Sequence, residues 1–284
     1  MRWKDRRASS NVEDRRGLSV KQGMVGGGLG TLILVLAIYF LGGNPSQLLN
    51  SLQMQASTDS SSYVPTAEEN ELAQFVSVVL AETENVWTEL FRQQGRTYEY
   101  PKLVLYTGTV QTGSGYASSA TGPFYAPGDR KVYIDLSFYQ ELQQQFHAPG
   151  DFAMAYVIAH EVGHHVQTLL GITEKVMSLR SRLSETQFNK YMVCFELQAD
   201  YLAGVWAHHA DRVNLLEAGD LDEALNAASA VGDDRIQKAA RGYVVPDSFT
   251  HGTSEQRRRW FHKGFTAGTL RDADTFAAEG LSIR

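Results

Sequence analysis

AYVIAHEVGHHVQ, residues 155–167, is the stretch from which this chain is best read. His160 and His164 stand four apart, so on a helix they lie one turn above each other and both imidazoles can reach one ion. Glu161 sits beside the first, close enough to an ion-bound water to take its proton. Two ligands and a base within five residues make the HExxH signature of metal hydrolases. The flanks agree with the helix this requires. Phe152, Tyr156, Val157, Ala159, Val162, Gly163 and Val166 form a largely apolar helix suited to burial. Pro149 and Gly150 precede it, Asp151 is the expected N-cap, and Gly171 the expected stop.

A catalytic zinc takes three protein ligands and leaves its fourth position to water. Glu196, in FELQADYLAGVWAHH, follows His164 by 32 residues, and Asp200 follows Glu196 by four. On a helix both carboxylates share a face. Glu196 is the expected third ligand, with Asp200 accepting a hydrogen bond from a ligand histidine and so fixing its tautomer. Phe195, Leu197, Ala199, Leu202, Ala203, Val205 and Trp206 make this second helix mostly apolar. Acidic groups in such a run need partners, because an unpaired buried charge is costly.

HEVGHHVQ, then ELQAD-LAGVWA, then DSFTHGTSEQRRRWF, resemble a bacterial family of neutral zinc metallopeptidases. The N-terminal MRW…RR-SSNVEDRRG and the segment TGPFY-P-DRKVYID resemble the same family, so the likeness runs over most of the chain. It implies a thermolysin-like zincin holding one zinc ion. His160, His164 and Glu196 would then be the ligands, Glu161 the general base, and Asp200 the support of a ligand. His251, at a loop-to-helix junction in a stretch shared with the family, is expected to stabilise an oxyanion or orient substrate. His165 points about 100° from His164 and is expected to be structural or to back a ligand. His208 and His209 are expected at the wet end of their helix, His147 and His262 at the surface, and Cys194 in a small apolar niche.

A second feature is an uncharged stretch, Met24 to Leu41, about long enough to span a bilayer. The 22 residues before it hold seven basic and three acidic side chains, a net of +4. The positive-inside rule then gives four parts: a cytoplasmic basic N-terminus (1–22), a transmembrane signal anchor (23–42), a flexible Ser- and Gln-rich linker (43–65), and an exported metallopeptidase domain (66–284). In that domain a capping box at Thr66 and Glu69 opens a helix running to about Gln94. Lys102–Thr107 and Lys131–Leu136 read as strands, Ala120–Tyr125 as a hairpin partner turning at Pro127-Gly128-Asp129, and Leu221–Arg241 and Thr253–Ala267 as helices. By the likeness, Ser118–Tyr125 is the candidate edge strand for substrate.

The expected fold class is α+β, mostly helical with a small sheet, in one domain of about 220 residues. Residues beyond 22 carry 19 basic and 29 acidic side chains, net −10, with no basic stripe to meet nucleic acid. The expected partners are a peptide or protein substrate and a bilayer. The competing reading is a catalytically silent zinc domain that binds a peptide or partner. A di-iron centre is excluded, since its second ExxH is missing from the sequence.

Overall fold

The computed structural model describes residues 1–18 and 63–283. In chain order these form β1 (Val12–Asp14), α1 (Ala67–Gln93), β2 (Lys102–Tyr106), β3 (Thr109–Thr112), β4 (Gly115–Ser118), β5 (Phe124–Ala126), β6 (Lys131–Asp135), α2 (Phe138–Gln144) and α3 (Asp151–Leu169). There follow α4 (Ile172–Ser178), α5 (Glu185–Arg212), α6 (Asp220–Ala230), α7 (Asp233–Arg241), α8 (Ser254–Ala267) and α9 (Thr275–Ala278). The fold is α+β, as expected. The membrane segment expected at 23–42 and most of the linker lie outside the described residues; among those described, no helix is long and apolar enough to cross a membrane.

The sheet has the order β1-β2-β6-β5, with β5 antiparallel to β6 and the other pairs parallel. Alternation along the strands covers both faces. Leu103, Leu105, Val132 and Ile134 join the main helical core, while Val104, Tyr106 and Tyr133 pack with Val110 and Ala126 under the β3–β4 hairpin. The predicted capping box holds: Thr66 Oγ1 accepts from the Glu69 N–H, and the Thr66 N–H donates to the Glu69 carboxylate.

Helix α3 is buried from Phe152 to Gln167 and packs against α5 and α6. Its N-cap position belongs to Gly150, which corrects the expectation for Asp151. The Asp151 carboxylate turns instead to the Met1 ammonium, 2.9 Å away. Asp220 and Glu217 face the same ammonium, and Glu223 accepts from the Phe152 N–H. This acidic cluster is therefore already satisfied. The helix expected over Leu221–Arg241 is two helices, broken at Val231-Gly232. A Cβ on Gly232 would lie 2.3 Å from Ser254 N, so only glycine lets α8 begin so close.

The N-terminal stretch, expected as a separate basic segment, is part of this fold. Strand β1 pairs with β2 in register Val12↔Leu103, and Asn11 O and Arg15 N–H bond to the backbone of Leu103 and Leu105. Trp3 meets Phe75 edge-on at 5.5 Å. Its arginines have partners within the domain: Arg6 pairs with Glu82, Arg7 with Glu84, and Arg16 donates to Glu69 O and Asn70. Residues 1–18 and 63–283 therefore form one fold through the pairing of β1 with β2.

Candidate metal centre

Helices α3 and α5 bring His160, His164 and Glu196 together, with one donor atom of each within 4.8 Å of the others. His160 Nε2 is 3.2 Å from Glu196 Oε2, and His164 Nε2 is 3.5 Å from Oε1. Close helix approach makes this geometry. A Cβ on Gly163 would lie 3.0 Å from Ala199 O, so α3 presses its bare backbone against α5 one residue before His164. All three side chains are buried. Burial alone would favour a neutral Glu196, but the charge of His164 and hydrogen bonds from both histidines hold it well below the usual carboxylate range.

Each imidazole uses its Nδ1 elsewhere, which leaves Nε2 facing the centre. His160 Nδ1 is 2.8 Å from Asp200 Oδ1. Tyr156 donates to the same oxygen at 2.6 Å, and Arg257 of α8 donates to Oδ2 at 2.8 Å and to Oδ1 at 2.9 Å. Burial disfavours the Asp200 anion, yet Arg257 and His160 keep its pKa low. His164 Nδ1 donates to Gln167 Oε1 at 2.8 Å. Gln167 in turn donates to Phe195 O and Gln198 Oε1, and Gln198 to Ala273 O. His164 also stacks on Phe195 at 4.9 Å.

Glu161 is buried at the same centre. Burial pushes its carboxyl up; the charges of His160 and His164 act the other way, and so does the Tyr125 backbone N–H. Two imidazoles and one carboxylate, buried and converging, with both second nitrogens bound elsewhere, fit a zinc ion with one position left for water.

A sequence profile for the family described as "Putative neutral zinc metallopeptidase" matches residues 1–276. The chain belongs to that family. The match begins at residue 1, so the family's shared region includes the N-terminal stretch that supplies β1. The protein named "Uncharacterized protein YpfJ" from Escherichia coli (strain K12) is 49% identical over 97% of this chain and 99% of its own length. "Uncharacterized protein Rv2575" from Mycobacterium tuberculosis (strain ATCC 25618 / H37Rv) is 43% identical over 65% of each chain. No solved structure matches.

In this metallopeptidase-family chain the loop before α8 carries His251, half exposed, with Nδ1 3.2 Å from Asp233 Oδ1. Asp233 Oδ2 accepts from three consecutive backbone N–H groups, of Thr250, His251 and Gly252, at 2.8, 2.7 and 3.1 Å. Asp234 accepts from the N–H and hydroxyl of Ser254. The first turn of α7 thus clamps the loop that presents His251. Desolvation opposes a charge on His251, and Asp233, aided by Glu196, outweighs it and raises the pKa.

Strand β5 lies at the sheet edge and packs on α3, with Tyr125 hydrogen-bonded to His165 Nδ1 at 3.0 Å. His165 Nε2 donates to Glu99 O, so this histidine is structural. Within the expected strand Ser118–Tyr125, residues 119–121 form a 3-10 turn and only the last two belong to β5. His208 and His209 are not at a wet end; they bond to Phe265 O and Gly268 O and tie α5 to α8. His147 and His262 are exposed, and Cys194 is buried.

Three contributors escaped the sequence reading: Arg257, Asp233 and Gln167. Gln167 lies three residues from His164, at helix-neighbour spacing, and was the one available signal.

Proposed function

We propose that this protein is a zinc-dependent peptidase with Glu161 as its general base. His160 and His164, through Nε2, and Glu196, through its carboxylate, would hold the ion. Bound there, zinc supplies the positive charge that polarises a scissile carbonyl and makes water acidic enough to attack near neutral pH.

The chain's own groups do the rest. Glu161 takes a proton from the attacking water on a carboxylate oxygen and passes it to the departing amine nitrogen. Its pKa, raised by burial, suits both halves of that transfer. His251 donates an N–H to the oxyanion as it forms, and Asp233 holds the ring in place and favours its charged form. An extended peptide adds to the open edge of β5, exchanging main-chain hydrogen bonds above α3.

One observation carries this reading: Glu161 is a buried carboxylate placed among two imidazoles and Glu196. A site that served only to hold zinc would gain nothing from that expensive burial. The test uses the full chain beside Glu161→Gln. Metal analysis should find one zinc in each, and a peptide library should be cut only by the unsubstituted protein. Zinc in both with cleavage by neither would overturn the peptidase reading in favour of a peptide-binding domain.

A further inference from the structure

We infer that Arg257 is a positioning residue that aims His160 at the metal by locking the plane of Asp200. The inference rests on the zinc reading above. Asp200 is fully buried, and its two oxygens have unequal company. Oδ1 accepts from Tyr156, His160 and Arg257, whereas Arg257 Nε is the donor to Oδ2 among the described residues. Without Arg257, Oδ2 would lose that donor and the carboxylate could turn about its own bond. His160 Nδ1 would follow Oδ1, and Nε2 would swing with it.

A guanidinium is the side chain suited to this. Its two N–H groups meet both oxygens in one plane and fix a carboxylate in two dimensions, which the point charge of a lysine does not. Arg257 is itself held by further bonds, from Nη1 to Val231 O and from Nη2 to Tyr156 Oη, each 3.2 Å. Its helix is seated without side-chain slack. On α8, a Cβ at Gly264 would lie 2.0 Å from Tyr201 O; on α5, one at Gly204 would lie 2.0 Å from Phe261 O. Arg257 also brings positive charge to a pocket holding Glu161, Glu196 and Asp200, all buried. Among the described residues His164 has no such device: the neutral Gln167 amide orients it. The two ligand imidazoles are thus held by unlike means, and only His160 depends on the arginine.

The test measures metal binding directly in the full chain, for the unsubstituted protein, Arg257→Lys, and the double variant Asp200→Asn with Arg257→Gln. The double variant removes the buried charges together, so it tests the fork even where a lone substitution unfolds the chain. Zinc affinity is read by competition with a coloured chelator. Coordination is read from the visible spectrum of the cobalt form, and folding from near-ultraviolet dichroism. Both variants should lose tenfold or more in zinc affinity, in the range typical for groups that orient ligands, with altered cobalt bands. A folded variant with unchanged affinity and unchanged bands would overturn the inference. So would a lowered melting temperature with metal binding intact, which marks a merely structural role. Failure of the unsubstituted protein to bind zinc or cobalt would instead sink the zinc reading, and this inference with it.

Discussion

Gly204 of α5 lies against Phe261 of α8 and Gly264 of α8 against Tyr201 of α5, so closely that a methyl group on either would fall 2.0 Å from a carbonyl oxygen of the other helix. This crossing sets the depth at which α8 delivers Arg257 to Asp200. Gly204→Ala should push the helices apart and destabilise the fold by about 1–3 kcal/mol, the usual cost of overpacking. Urea unfolding measures that loss. A variant as stable as the parent, with unchanged zinc affinity, would contradict the account.

Zinc binding should release protons. In the metal-free protein burial disfavours a charged His160, but Asp200 and Glu196 outweigh it and raise its pKa to about 9. Near neutral pH the ring is therefore protonated and donates to both carboxylates. Taking up the ion displaces the Nε2 proton. Calorimetry in buffers of different ionisation heat should find about one proton released per zinc, falling away as pH rises through about 9. The sign for stability follows. With the folded value above the ordinary 6.5, the metal-free fold gains fully below about 6.5 and loses that gain as pH rises through about 9.

Gln167→Met removes the acceptor of His164 Nδ1 while keeping the volume of the side chain. Zinc affinity should fall about 10–100-fold, as for other groups that orient metal-bound histidines. Competition with a chelator measures it. An unchanged affinity would show that stacking on Phe195 is enough to hold the ring.

His251→Ala should leave zinc content intact and lower kcat by about 10²–10³, the scale of a lost oxyanion donor. Asp233→Asn should give a smaller loss. It should also flatten the acid limb of stability. Burial works against the Asp233 charge, but His251 and three backbone N–H groups hold its pKa below the ordinary 3.8. That contribution is present above about 3.8 and disappears as pH falls through the lower folded value. Loss of zinc from His251→Ala would make the residue a ligand instead.

Trp3→Ala should cost about 3–5 kcal/mol, as for a buried aromatic. A free, unpacked N-terminus would give no change in denaturant midpoint, and that result would refute the placement of residues 1–18 in the core.

What the sequence disclosed was local in origin. His160, His164, Glu196 and Asp200 announce themselves by four-residue spacing, because a helix turns that interval into a shared face. The capping box at Thr66 is read within four residues for the same reason. Arg257 and Asp233 reach the site through helix crossings and a clamped loop, which no short interval encodes. The N-terminal stretch gives no local sign of its place in the sheet. Its partners Glu82 and Glu84 lie more than 70 residues away, so ion pairing within the fold left no mark on local composition. The break at Gly232 was hidden as well, since only the approach of Ser254 reveals why a glycine stands there.

Gly17 adopts a left-handed φ of 71°, and a Cβ on it would fall 2.4 Å from Tyr63 Cδ1. Gly17 and Tyr63, near the ends of the two described stretches, therefore stand side by side. A spliced chain running from Leu18 through a short glycine tether to Tyr63 should keep the sheet, the helices and the metal centre together, and would give crystallographers a compact form to work with.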